Sequence, residues 1–133
     1  MGAWGAGIFE NDDAGDFVGE LVESDNGWAL VRRKLQAVAD AGSDDYVESS
    51  QSSEALVAAE CVATARGKAS PQVDNEVLGW VQAHPLKDAS KLVALAAKAV
   101  RRVATKSELQ ELWDEQDATP WKAAVGDLEQ RLR

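Results

Sequence analysis

The run Glu54-Ala55-Leu56-Val57-Ala58-Ala59-Glu60-Cys61-Val62-Ala63-Thr64-Ala65-Arg66 is apolar on nearly every side, and between its ends Glu60 is the one charged residue. Alanine and leucine are strong helix formers, and a helix with no polar face has to be covered on several sides by other elements. The run is therefore read as the central helix of a bundle. The rest of the chain agrees with that reading. Its 23 alanines and 12 leucines stand against one isoleucine and three threonines, a balance that favours helix over sheet.

Outward from this run, apolar residues recur at helical spacing on both sides. Phe17, Val18, Leu21 and Val22 form one stripe, with Asp12, Asp13 and Asp16 at its first turn. Acids there complement the helix dipole, and Asn11 or Asp12 is placed to cap the free amides. Trp28, Val31, Leu35 and Val38 make a second stripe that Gly42 closes. Residues 42–53 are the most loop-like piece of the chain, yet they could begin a helix, since Asp45 and Glu48 have capping-box spacing. After the central run, Ser70-Pro71 reads as an N-cap followed by proline at the first helical position, ahead of Val73, Val77, Trp80 and Val81. A stripe from Lys87 to Val103, a short helix capped by Thr105 or Ser107, and a last helix opened by Thr119-Pro120 complete the chain. No segment alternates as a strand would. The expectation is all-α: a single compact bundle of six or seven short helices, residues 1–133 forming one domain, with a glycine-rich N-terminal segment docked on it.

That opening segment, Gly2-Ala3-Trp4-Gly5-Ala6-Gly7-Ile8-Phe9-Glu10-Asn11-Asp12-Asp13, is the most distinctive part of the sequence. Its glycines lack the preceding strand and the following Lys-Ser/Thr of a phosphate-binding loop. Backbone freedom at the glycines, with Trp4, Ile8 and Phe9 anchored on the helices, is the better reading. Residues 2–16 resemble the opening of the bacterial DUF4259 family. Ala58-Ala59-Glu60, and Ser107-Glu108-Leu109 through Leu112-Trp113 to Trp121 and Leu128, are similar to its later blocks. The resemblance implies a small helical bacterial domain of unknown function and supplies no catalytic residue. Gly15 departs from it, since a glycine inside a helix costs about 0.5–1 kcal/mol relative to alanine.

Two groups of residues are candidates for chemistry. Asp13, Asp16 and Glu20 are spaced i, i+3, i+7 on one helix face, and with Glu10 and Asp12 they form an oxygen-rich cluster of the kind that suits a hard metal ion. Capping and dipole duties explain the same acids without a metal. Glu60 stands in an apolar run, where an unpaired carboxylate is costly. Three outcomes are open: it faces solvent through a gap, it pairs with a partner such as Arg32 or Arg33 or the indole N–H of Trp4, Trp28 or Trp80, or it sits with a raised pKa in a pocket of its own. A ligand site would combine Glu60 with Trp4 and Glu10, the glycine-rich segment closing over it. His84 reads as a residue bonding the carbonyls of a helix end, and Cys61 as a buried, inert thiol. No catalytic triad or zinc spacing is present, no cofactor is indicated, and the balance leans away from an enzyme.

The 133 residues carry 14 basic and 23 acidic side chains, a net charge of −9. That charge argues against a nucleic-acid binder. No apolar run approaches the roughly 20 residues that span a bilayer, and no apolar leader follows the start, so no membrane role is expected. One cysteine excludes an internal disulfide and points to the cytoplasm. Residues 1–62 hold 13 acids against three bases, whereas Lys87, Lys91, Lys98 and Arg102 line one side of the fifth helix. The expected function is a non-enzymatic protein-interaction module meeting a basic partner, an inhibitor or immunity-type protein being its specific form, or pairing as a homodimer. The alternative is a small-ligand- or metal-binding protein or enzyme with its site around Glu60 and the N-terminal acids.

Overall fold

A computed structural model describes residues 5–133, and among them the backbone forms seven helices and no strand. These are α1 (Asp12–Glu23), α2 (Gly27–Ala39), α3 (Ser49–Ala65), α4 (Asn75–Ala83), α5 (Ser90–Thr105), α6 (Glu108–Asp114) and α7 (Thr119–Arg131). The protein is the all-α bundle its apolar spacing predicts. Helix α3 packs against each of the other six, and 12 of its 17 residues are buried. Its small side chains let six neighbours approach closely, which is why a stretch with no polar face is stable at the centre.

The outer helices bury one stripe each, except α6, whose Leu109 and Trp113 are only partly buried against the core. Asn11 caps α1 through the amide of Ala14, Phe17, Val18 and Leu21 point inward, and Val22 does not; it is 44% exposed. Trp80 and Trp121 are buried, while Trp28 and Trp113 are partly buried against the same core. At the α1–α2 corner the Trp80 ring occupies the space a side chain at Gly27 would need, a Cβ there lying 2.1 Å from Cζ2. The Trp28 indole N–H donates to the His84 carbonyl at 2.8 Å, and His84 Nδ1 sits 2.8 Å from the Trp80 carbonyl, so His84 does close the end of α4.

Four local expectations are corrected. Helix α3 starts at Ser49, five residues before the apolar run, because Glu48 and Gln51 form its capping box and the Ser52 hydroxyl returns a hydrogen bond to the Glu48 carbonyl. Asp45, expected to cap it, instead accepts the Gly42 amide at 2.7 Å within the loop. Ser70-Pro71 opens no helix, since the Ser70 hydroxyl is used in a tight turn to the Gln72 amide and α4 begins at Asn75 behind an Asp74 cap. The second helix ends at Ala39, short of Gly42.

The end of α3 brings the chain back over its own buried carboxylate. Gly67 takes a positive φ of 78°, and its amide and that of Lys68 bond back to the Thr64 and Ala63 carbonyls. This reversal, which glycine permits without a Cβ penalty, folds the chain over so that the Ser70 amide lies 3.5 Å from the Glu60 carboxylate.

Candidate functional site

Glu60 is completely buried. Its carboxylate is held by Arg131 from the last turn of α7, with Nη1 at 2.7 Å from Oε2 and Nη2 at 2.8 Å from Oε1. The Thr64 hydroxyl donates to Oε2 at 3.3 Å. The partner is thus Arg131, not Arg32 or Arg33, which lie on the exposed face of α2, and no described tryptophan donates to Glu60. Arg131 is itself fully engaged: Nε donates to Asp127 at 2.8 Å and Nη1 to the Lys68 carbonyl at 2.9 Å. Burial pulls the Arg131 pKa down, but its hydrogen bonds with Glu60 and the attraction of Glu60 and Asp127 outweigh that and hold it above its ordinary value. The guanidinium is fixed and charged. Neither Arg131 nor Asp127 stands out in the sequence, although a signal exists: Arg131 directly precedes the inward-facing Leu132, at the border of the buried stripe of α7.

This pair floors a cleft of about 640 Å³. The N-terminal segment forms one wall, α7 another, and Ser70 and Gln72 of the turn after α3 a third. Glu10 and Asp127, both exposed, join Glu60 as lining carboxylates, and Phe9, Pro120 and Ala124 supply apolar surface. Glu60 and Glu10, two of the three residues expected to form a ligand site, therefore meet in one cavity. Trp4, the third, lies outside the described residues.

Glu10 reaches the cleft by a local device. Its Oε1 accepts the Gly7 amide at 3.0 Å, folding the carboxylate back over the segment. A Cβ at Gly5 would come within 2.4 Å of that carboxylate, and one at Gly7 within 2.5 Å. Glycine at both positions is what lets the carboxylate settle there. On the other side of the same segment a smaller cavity of about 250 Å³ lies against Ser53, Leu56, Trp113 and Trp121, with Asp12 and Asp13 at its edge.

The remaining acids behave differently. Asp13, Asp16 and Glu20 are exposed along α1, and among the described residues no group of three His, Cys, Asp or Glu side chains converges as a metal ion would need. The basic stripe on α5 is also smaller than expected. Lys87 precedes the helix, and Arg102 is committed to the loop after α2, donating to the carbonyls of Ala41, Gly42 and Asp45. Lys91, Lys98 and Arg101 stay exposed. Cys61 is buried, and that burial, with the Glu60 charge beside it, pushes its thiol pKa far up. It is a poor nucleophile.

No helix among the described residues is long and apolar enough to cross a membrane. No curated protein and no solved structure matches the chain. One family model does, over residues 2–124, and its description is a domain of unknown function, DUF4259.

Proposed function

The chain belongs to the DUF4259 family, a domain of unknown function, and we propose that it is a non-enzymatic interaction domain that meets a positively charged protein partner. One observation carries this reading. Asp12, Asp13, Asp16, Glu20 and Glu23 are all exposed on α1, and at 3.6 residues per turn they fall within an arc of about 100°. None of them is paired with a base among the described residues; the five salt bridges there all involve other acids. Like charges at i, i+4 weaken a helix by about 0.2–0.5 kcal/mol per pair, so Asp12, Asp16 and Glu20 in sequence are a small standing cost. A basic surface docked on α1 removes it.

A face of carboxylates can take the place of nucleic-acid phosphates on a basic surface, such as that of a nuclease, which is the inhibitor form of this proposal. Glu60 and Arg131 are spent on each other and the Cys61 thiol stays protonated, which favours binding over bond-making chemistry. A single buried thiol suits the reducing cytoplasm. A second copy offers the exposed Lys91, Lys98 and Arg101 of α5 as complementary charge, so self-association is the homotypic version of the same contact. The cleft favours a second reading, a small-ligand-binding protein.

The test compares the wild type with the triple variant Asp16→Asn, Glu20→Gln, Glu23→Gln, which leaves the first turn of α1 intact. Affinity capture at low and moderate salt, with light scattering on the purified chain, is expected to show basic proteins or a second copy held by the wild type. The variant should lose them, as should added salt. Identical capture and identical mass for both chains would refute the proposal.

A further inference from the structure

We infer that the cleft between the N-terminal segment, the turn after α3 and helix α7 is a binding site for an alkylguanidinium or alkylammonium group. The inference deepens the reading of the chain as a receptor for positively charged partners and rests on it for the sign of the ligand.

The charge of the cleft is unbalanced. Glu10, Glu60 and Asp127 line the cavity together with a single cation, Arg131. That cation is already neutralised by Glu60 through two hydrogen bonds, and its Nε is taken by Asp127. The floor of the cleft is therefore a closed ion pair and its rim carries the surplus negative charge. Both rim carboxylates are held in place before any ligand arrives, Glu10 by the Gly7 amide and Asp127 by Arg131. Gly5 and Gly7 are needed for the first of these, since a Cβ at either would strike the Glu10 carboxylate. Groups held this way lose little freedom on binding.

The shape then selects the kind of cation. A metal ion needs several oxygens at about 2.0–2.6 Å from one point, and no such group of side chains exists among the described residues. A volume of about 640 Å³ falls within the range of roughly 300–1,000 Å³ typical of organic-ligand clefts. Phe9, Pro120 and Ala124 give an aliphatic stem a surface to lie on, and the Ser70 and Gln72 side chains add hydroxyl and amide partners. Exposed carboxylates beside apolar walls match a lysine or arginine side chain, or a free diamine or guanidino compound of the same chemistry.

Isothermal titration and backbone NMR with N-acetyl-arginine amide, putrescine and a hexa-arginine peptide test this, with N-acetyl-glutamine amide as the neutral control. The cations should shift the resonances of Ile8, Phe9 and Ala124, and the neutral control should not. Glu10→Gln with Asp127→Asn should weaken binding about tenfold, the effect expected for removing exposed charges near a cation. The urea midpoint of the double variant checks that the fold survives, and Glu10→Gln alone serves if it does not. Binding by the free cations assigns a small-molecule ligand. Binding by the peptide alone, weakened by the rim variants, assigns a side chain of a polypeptide; either result supports the site. Absence of binding by all three cations, equal binding of the neutral control, or affinities unmoved by the rim variants would overturn it. The α1 triple variant separates the two readings. It should leave single-cation binding within about twofold, because Asp16, Glu20 and Glu23 do not line the cleft and exposed charges acting from outside it are screened by salt, while abolishing protein capture.

Discussion

Replacing Arg131 by methionine should be among the most damaging single changes in the protein, and its cost should depend on pH in a defined way. The side chain makes two bonds to a completely buried carboxylate. Removing one partner of such a pair costs about 3–5 kcal/mol, because the remaining charge is left in a poor dielectric. What stays around the Glu60 carboxylate is a threonine hydroxyl at 3.3 Å and a long contact to the Ser70 amide at 3.5 Å. The penalty has a ceiling. A glutamic acid with an ordinary pKa of about 4.3 can be kept protonated at pH 7 for about 3.7 kcal/mol, so a worse environment than that simply neutralises it. The expected loss is therefore about 3–4 kcal/mol at pH 7. Each pH unit lower removes about 1.4 kcal/mol from the ceiling, which leaves about 1 kcal/mol at pH 5. The sign follows from linkage: in the variant the native state binds a proton more readily than the unfolded chain, so its stability falls as pH rises. Urea unfolding followed by tryptophan fluorescence at both pH values gives the two differences from wild type. Pairing Arg131→Met with Glu60→Leu should recover most of the loss, since a buried ion pair exchanged for apolar volume is close to neutral. A loss below about 1 kcal/mol at pH 7, or the same loss at pH 5 and pH 7, would refute the account of Glu60.

Two glycines should respond in opposite directions to alanine. Gly15 is helical with nothing within 4 Å of its missing Cβ, so Gly15→Ala should stabilise by about 0.5–1 kcal/mol. Gly27→Ala would drive a methyl into the Trp80 ring and should cost about 1–3 kcal/mol; thermal melts of both variants check the pair. The Ser49 amide holds the Glu108 carboxyl below the ordinary carboxylate range, and hydrogen bonds do the same for Asp88, Asp114 and Asp117. Depressed native pKa values contribute stability that is present above the ordinary carboxylate pKa of about 4 and lost as pH falls through the lower native values. Urea midpoints from pH 7 to pH 3 should thus drop on the acid side, and Glu108→Gln should flatten part of that drop; parallel curves would refute it.

The parts of the fold that are legible in the sequence are those set by neighbouring residues. Asn11 and Ser107 cap α1 and α6 as short polar side chains before apolar stripes should. The central place of α3 follows from its lack of any polar face. Its start is hidden because a serine-rich stretch looks like loop, and part of what fixes that start is distant: the Ser49 amide donates to Glu108, 59 residues on. Ser70-Pro71 misleads for a different reason: its tight turn satisfies locally what a cap would, and Asp74 caps α4 four residues on. That Glu60 needs a partner is readable from burial cost alone. Which partner is not, because several arginines compete on composition and the one chosen lies 71 residues away.

The cleft itself combines both kinds of information, and this makes its two ends separable. Its floor depends on α7 returning to α3, a tertiary contact that also carries stability, and Arg131 lies beyond the residues 2–124 matched by the family model. The N-terminal side of its rim depends on three residues of one short segment, Gly5, Gly7 and Glu10, whose geometry is local, whereas Asp127 on the other side is tied to Arg131. A change at the floor alters folding and recognition together, as the buried charge requires. A change at Glu10 removes one exposed carboxylate and a single hydrogen bond, so it acts on recognition while the bundle stands. Stability and ligand affinity therefore move together for variants of Arg131 and apart for variants of Glu10. A purely structural role for the N-terminal segment would not produce that division.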